Sequence, residues 1–451
     1  MKLKNTLYSL TAVIALAAVS CRDYVEVDTY TTRTLQYTRD YEYVINYKSN
    51  FETTCVFPLL TSDDVAAHAG DVKNIWYNSE FYNAFIWAKS YYGDNQQDLG
   101  WDNLYKHIYI SNQVLDGVME SKGGTSEHKN LIAAEAKIHR AFAYLSLANQ
   151  YAPIYDPAKA GEQQGLPLLL KVDLFQDLSR VTLQKVYETI LDDVLTALPS
   201  LPDLPTYNYH PSKLAAYALL SRTYLVLRDF NKAAEYTDLG LDLSQELNDL
   251  QVYNGNISTF PRTLDDPEII LSKKAATNLK APINEELIDL YSEDDLRFQM
   301  YLGIDQYLQG YAFLRPNFTG QGIDAGLRVP ELILNRAELY AREGNAGKTV
   351  EMLNKIRIKR FETDKYVPLE ETDIDKDLLQ AVIDERRREF VGTDLRWFDQ
   401  RRLNLDPGYT KTVTRSYQEQ TYTLEPNSPR YVYPIVETVL ELNPEIGQNP
   451  R

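Results

Sequence analysis

The chain has little cysteine: only Cys21 and Cys55 occur among its 451 residues. Two cysteines cannot build the disulfide framework that stabilises small secreted domains. A chain of this length with 44% apolar residues can instead bury a large hydrophobic core. We therefore expect a globular protein in which Cys55 packs as a small apolar residue.

Histidine is also scarce, and the signatures of common catalytic sites are missing. The 5 histidines form no HExxH or other metal-ligand spacing. The sequence contains no GxSxG elbow, P-loop or dinucleotide fingerprint. We predict no catalytic residue, no metal site and no cofactor. A surface glycosidase stays open as an alternative, because adjacent acids could supply its carboxylate pair. They are Asp63 with Asp64, Asp192 with Asp193, and Asp294 with Asp295.

Basic residues are outnumbered, with 47 Lys and Arg against 64 Asp and Glu and a net charge of −17. Nucleic-acid binding normally requires a concentrated basic face. The one basic cluster, the three arginines between Glu385 and Glu389, is short and bracketed by acids. The composition therefore excludes nucleic acid as an expected partner.

The longest apolar run, about Leu7 to Val19, is too short to span a bilayer. Lys2 and Lys4 precede it and small residues follow it, which predicts an export signal over residues 1–20. Because Cys21 comes directly after the small residues, the segment resembles a lipoprotein box. That resemblance implies a mature chain that begins at a lipidated Cys21. The alternative is an ordinary secretory signal followed by an unmodified cysteine.

Apolar periodicity predicts a mostly α-helical protein. It indicates helices over Asp102–Val118 and Leu131–Ala148, and a third helix capped by Thr182. Ser212–Leu243 resembles a tetratricopeptide repeat, because small residues allow two antiparallel helices to approach closely. A looser copy begins at Pro330. Two separated copies indicate a helical scaffold rather than a tandem array.

No long flexible linker divides the mature chain, so we predict a single domain over residues 21–451. Repeat-like helices are expected at about 102–150, 182–245 and 330–392. The stretches at about 60–100 and 250–328 have no sustained period but are rich in aromatic residues. Long irregular segments in compact proteins are usually functional or disordered, and these are too aromatic for disorder. We expect them to form an ordered, loop-rich face.

The C-terminal third carries the most specific pattern, DERRREF at residues 384–390 followed by DLRWFDQRR at residues 394–402. This block resembles the signature of the SusD/RagB-like outer-membrane nutrient-binding lipoproteins. WDNLYKHIYISNQVLDGV from Trp101 and the ending YVYPIVETVLELNPEIGQNP fit the same family. The resemblance implies a SusD-like fold, a tetratricopeptide-like scaffold that carries a loop-rich binding face. We interpret the signature block as scaffold, with Arg–Glu pairs along one helix and Phe390, Trp397 and Phe398 in the core.

The same resemblance implies that ligand contacts come from the segment before Trp101 and from the segment before Pro330. Aromatic rings stack on sugar faces, and polar side chains bond hydroxyls or a peptide backbone. The candidate ligand-binding residues are Trp76, Tyr77, Trp87, Tyr91, Tyr92, Asn95, Tyr307, Tyr311, Arg315 and Asn317.

The family resemblance therefore implies a lipid-anchored protein on the extracellular face of the outer membrane. It would bind an oligomeric nutrient, with an oligosaccharide as the first expectation. It would deliver this ligand, as a hinged lid, to a SusC-like TonB-dependent transporter. One alternative is the same role with oligopeptides. The others, from different functional classes, are the glycosidase and a repeat adaptor that binds other proteins.

Overall fold

The computed structural model describes residues 35–66, 79–173, 175–275, 279–314, 322–374, 377–417 and 419–451. Five predicted functional residues lie outside these ranges, namely Cys21, Trp76, Tyr77, Arg315 and Asn317.

Helices dominate the described ranges, as the periodicity predicts. In chain order they are α1 Thr38–Asn46, α2 Phe57–Thr61, α3 Ser79–Phe85, α4 Leu99–Gly117, α5 Ser126–Tyr151, α6 Leu183–Ala197, α7 Lys213–Leu227, α8 Phe230–Leu243, α9 Leu250–Tyr253, α10 Glu285–Ile288, α11 Leu296–Tyr301, α12 Val329–Arg342, α13 Ala346–Arg357, α14 Leu378–Glu389, α15 Leu395–Leu403 and α16 Glu437–Leu442. The predicted cap is present, because the Thr182 hydroxyl accepts from the amide of Lys185 at the start of α6.

The strands are short and pair antiparallel in twos. They are β1 Gln164–Pro167 with β2 Arg180–Thr182, β3 Ile269–Leu271 with β6 Leu327–Arg328, β4 Leu302–Asp305 with β5 Gly310–Phe313, and β7 Val413–Tyr417 with β8 Gln420–Leu424. Two-stranded ribbons are marginal alone, so packing against the helices must stabilise them.

The tetratricopeptide-like unit is the antiparallel pair α7 and α8, packed against α12. Small residues permit the close approach that the sequence predicts: a Cβ on Gly240 would meet Leu332 of α12 at 2.9 Å. Ser221 lies 2.7 Å from the Thr237 hydroxyl and accepts from the Asn335 amide at 2.9 Å. Polar groups buried between the helices are thereby satisfied.

The signature block is scaffold, but its ion pairs differ from the expected ones. Within α14 Arg388 bonds Glu385, as predicted for residues three apart. Arg386 instead bonds Asp399 of α15, and Arg387 bonds Asp64 near the other end of the described chain. Asp399 and Asp64 lie on other elements that pack against α14, and this packing places them, rather than an acid one turn along the helix, beside Arg386 and Arg387. Phe390, Trp397 and Phe398 are buried, as expected.

Candidate functional site

The β4–β5 hairpin holds the predicted residues Tyr307 and Tyr311. Its register runs from Leu302 opposite Phe313 to Asp305 opposite Gly310. The Asp305 carboxylate accepts from the amides of Tyr307 and Leu308 at 2.9 and 3.1 Å, and it pairs with Lys280 at 2.5 Å. A carboxylate that bonds successive turn amides fixes the turn. The hairpin therefore presents Tyr307 from an ordered tip.

The exposed side chains of this hairpin include two large apolar ones, together with Gln306 and Gln309. Tyr307 is 67% exposed and Ile304 is 75% exposed. Ile304 stands opposite Tyr311, so the two side chains share one face of the ribbon. Tyr311 is half-buried, with its ring 5.3 Å from that of Phe298. An exposed aromatic ring such as that of Tyr307 can stack on the apolar face of a sugar ring.

The hairpin lies where the two predicted ligand segments meet the described structure. The Ile283 amide donates to the Tyr311 carbonyl at 2.9 Å, and the Ala66 amide donates to the Pro282 carbonyl at 3.1 Å. Ala66 is the last described residue before 67–78, and Leu314 is the last before 315–321. The attachment points of these two segments thus lie on either side of the same extended stretch at residues 282–283. We name Ile304, Tyr307 and Tyr311 the hairpin face.

Trp87 has a different environment from the one predicted. Its ring is completely buried, and its indole nitrogen donates to the Thr61 carbonyl at 2.9 Å. The Arg415 guanidinium lies 4.2 Å from the ring centroid. Burial lowers the pKa of Arg415 to about 9, and the aromatic face helps to hold this cation in the core. Trp87 is therefore a structural residue with no open face for a ligand.

Tyr91 is also completely buried and belongs to the core. Its ring packs against Phe57 and Tyr433, with centroids 5.3 and 5.6 Å away. Like Trp87, it has no face open to a ligand in this structure. Both corrections have one cause: aromatic enrichment marks core and binding surface alike.

Tyr92 and Asn95 line a cavity of about 720 Å³, between the loop at residues 89–95 and the C-terminal segment from Pro434. Tyr92 is half-buried, and Asn95 is exposed with a φ of 60°. The C-terminal wall includes Glu437, Thr438 and Gln448. Sequence reasoning assigned that ending to the family pattern but not to a cavity. The lining is suited to hydroxyl-rich ligands because it offers carboxylate, hydroxyl and amide groups.

Four of the six adjacent carboxylates that kept the glycosidase open pair with arginines. Asp63 bonds Arg396 at 2.6 Å, and Asp64 bonds Arg387 at 2.8 Å. Burial raises the pKa of Asp63, but Arg396 outweighs burial and the net pKa is well below its ordinary value. Asp193 bonds Arg140 and Asp295 bonds Arg297. These four carboxylates stabilise the scaffold as partners of buried or half-buried arginines.

In the described ranges, no group of three or more His, Cys, Asp or Glu side chains is arranged to hold a metal ion. Across the same residues, no helix combines the length and apolarity required to cross a membrane.

Two models of known protein families match this chain. A family model described as "Starch-binding associating with outer membrane" matches residues 36–225, and one described as "SusD family" matches residues 292–451. The chain belongs to the SusD/RagB family. A relative in this family, SusD-like protein P2 of Formosa agariphila, is 31% identical over 140 residues. That match covers 30% of this chain and 25% of the relative's length.

Solved structures of SusD-like proteins have the same fold. A putative sugar-binding protein of Bacteroides vulgatus has a TM-score of 0.74 at 19% identity, over 93% of this chain and 99% of its own. A SusD superfamily protein of Bacteroides thetaiotaomicron has a TM-score of 0.71 at 19% identity, over 92% of this chain and 100% of its own. Surface glycan-binding protein A of Bacteroides uniformis has a TM-score of 0.68 at 17% identity, over 91% of this chain and 98% of its own. At these identities the likeness establishes the SusD fold.

Proposed function

We propose that this protein captures an oligosaccharide at the cell surface and passes it to a SusC-like TonB-dependent outer-membrane transporter. The observation that carries the proposal is the exposed hairpin face, in a SusD-family chain, beside the points where both predicted ligand segments attach. Two proteins of the same fold are described as sugar-binding and glycan-binding, which supports a carbohydrate ligand.

The binding step would depend on shape and hydrogen bonding, with no chemical change in the ligand. Tyr307 offers an exposed ring on a turn whose backbone is already fixed by Asp305, so little backbone entropy is lost on contact. Ile304 adds a second exposed apolar side chain on the same hairpin. Hydroxyl groups of the sugar would bond polar side chains of the two adjoining segments, where Asn317 and Arg315 are the predicted donors.

Delivery requires a membrane anchor and a closing motion. In this proposal a lipid on Cys21 holds the protein on the extracellular face of the outer membrane, and the body acts as a hinged lid over the transporter. A ligand can close such a lid only by binding the closed state more tightly than the open one. The transporter would then provide the other wall of the binding chamber.

Calorimetric titration of the mature protein tests the binding step. A set of oligosaccharides is compared with a mixture of oligopeptides, using wild type and Tyr307→Ala. We expect an oligosaccharide to bind and Tyr307→Ala to weaken it about tenfold, which corresponds to about 1.4 kcal/mol. Tyr43→Ala is the matched control, since Tyr43 is 65% exposed on α1.

Each contrary result has a distinct meaning. Binding of peptides but not sugars would replace the carbohydrate with the oligopeptide ligand. Equal affinities for wild type and Tyr307→Ala would remove the hairpin face from the site. Release of new reducing ends from a polysaccharide would contradict a purely binding role.

A further inference from the structure

The first described helix, α1, has one face in the core and one face in solvent. Tyr41 and Ile45 are buried against Val114 of α4 and Ile132 of α5. The opposite side carries Arg39 and Tyr43, and Tyr47 continues that side just beyond the last residue of the helix. Because these positions are four residues apart, their side chains lie on the same side.

This outward side is rich in exposed tyrosine. Tyr43 is 65% exposed, Tyr47 is 62% exposed and Tyr37 is 44% exposed. The Arg39 guanidinium and the Lys122 ammonium lie 5.3 and 5.8 Å from the Tyr37 ring centroid. We name these five residues the aromatic face. Tyrosine rings with basic neighbours are typical of protein surfaces at a membrane–water boundary.

The aromatic face is also the place where the N-terminal chain joins the folded body. The Lys122 amide donates to the Gln36 carbonyl at 2.8 Å, and the Thr38 amide donates to the Lys122 carbonyl at 3.0 Å. The Thr38 hydroxyl donates to the Gly123 carbonyl at 2.7 Å. These bonds fix the start of the described chain to the loop between α4 and α5.

Cys21 precedes Leu35 by 14 residues. A segment of that length spans at most about 50 Å even when fully extended. If Cys21 carries lipid, the start of the aromatic face therefore stays within about 50 Å of the bilayer surface. Tethering makes a weak surface contact effectively intramolecular, so modest attraction is enough to keep the face on the membrane.

We propose that the aromatic face rests on the membrane that holds Cys21. Its tyrosines would lie at the lipid–water boundary, while Arg39 and Lys122 contact anionic headgroup phosphates. This inference rests on the lipid anchor of the proposed function. It adds a second attachment point, so that the body would swing about α1 rather than about a free tether.

A fluorescent label on the aromatic face tests the contact. The lipoprotein carrying Tyr43→Cys is labelled with a polarity-sensitive dye and reconstituted into vesicles of phosphatidylethanolamine and phosphatidylglycerol. Cys55 does not compete for the dye, because it is buried and burial raises the pKa of its thiol. The reference is the same labelled chain with Cys21→Ser, in buffer. Val367→Cys, at a site 75% exposed outside the aromatic face, is the control label.

We expect the label at position 43 to shift to shorter wavelength in vesicles and to be quenched by spin-labelled lipid. The label at position 367 should keep its emission in water. Adding Arg39→Gln and Lys122→Gln should reduce the quenching at position 43. A label at 43 that stays unshifted and unquenched, in protein that floats with the vesicles, would overturn this inference alone.

Two other outcomes are informative. If the shift appears only when the transporter is reconstituted as well, the face binds the transporter and the membrane contact is wrong. If the protein does not float with vesicles, the lipid anchor of the proposed function is refuted and this inference falls with it. Calorimetric ligand binding is unaffected by either result, so the capture step is judged separately.

Discussion

Lys273 places an ammonium group in the core among neutral partners. Its Nζ donates to the Phe51 carbonyl at 2.5 Å and lies 3.0 Å from Nδ1 of His139. Burial lowers the pKa of Lys273 to about 7, against about 10.4 in an unfolded chain. Burial, and then the charge of Lys273, also hold the pKa of His139 well below its usual range. This part of the core therefore tolerates little positive charge.

Replacing Lys273 with methionine should change how stability depends on pH. Between pH 7 and 10 the unfolded state binds more protons at this lysine than the folded state, so wild-type stability rises with pH. We expect wild type to gain roughly 3 kcal/mol relative to Lys273→Met over that interval, measured by urea denaturation. Lys274→Met, which removes a partly exposed neighbour, is the control. If the free energy of unfolding varies with pH in the same way for wild type and Lys273→Met, the buried lysine is not the source of the pH dependence.

The structural role of Trp87 predicts a loss of stability without a loss of affinity. Trp87→Phe removes the donor to the buried Thr61 carbonyl, so we expect the free energy of unfolding to fall by about 2 kcal/mol. Ligand affinity, measured well below the unfolding temperature, should stay within about twofold of wild type. A large loss of affinity in a variant of normal stability would show that Trp87 contributes to ligand binding.

At the scale of elements, buried ion pairs join the C-terminal helices. Glu338 of α12 is completely buried. Its carboxylate accepts hydrogen bonds from both terminal nitrogens of Arg402 on α15. Burial raises the pKa of Glu338, but Arg402 and Arg342 outweigh it and hold the net pKa well below its ordinary value. The pair therefore stabilises the fold above the carboxyl pKa of the unfolded chain, about 4.3, and that contribution is lost as pH falls below it.

Removing one partner of this pair should be costly. Glu338→Gln leaves Arg402 without its bidentate partner, and we expect about 3–5 kcal/mol of destabilisation at pH 7 by urea denaturation. The difference from wild type should shrink below about pH 4. Glu351→Gln, which breaks an exposed pair with Lys348 on α13, should cost under about 1 kcal/mol. Equal effects of the two substitutions would contradict a special role for the buried pair.

The sequence predicts the long helices because one apolar stripe persists over several turns, as in α4 and α6. It misses α3, α9, α10 and α11, which fall in the segments interpreted as irregular. These helices are 7, 4, 4 and 6 residues long, so little periodic signal is available. The partners of Arg386 and Arg387 are missed for another reason: a helix repeat describes neighbours within the helix, whereas packing selected Asp399 and Asp64.

At the scale of the whole molecule, the sequence predicts the family, while its described candidate site residues fall in three different environments. Tyr307 and Tyr311 lie on one hairpin, and Tyr92 and Asn95 line one cavity. Trp87 and Tyr91 lie in the core instead. An aromatic residue has the same identity in either place, and only the tertiary contacts decide which face is open.

Uptake of a labelled oligosaccharide by whole cells tests the central claim most directly. Cells that lack this protein but retain the SusC-like transporter are compared with cells that express wild type, Tyr307→Ala or the control Tyr207→Ala, at an exposed tyrosine outside both the hairpin face and the aromatic face. We predict that uptake falls sharply without the protein, is restored by wild type and is restored poorly by Tyr307→Ala. Unchanged uptake in cells that lack the protein would contradict its role as the lid that captures and delivers the ligand.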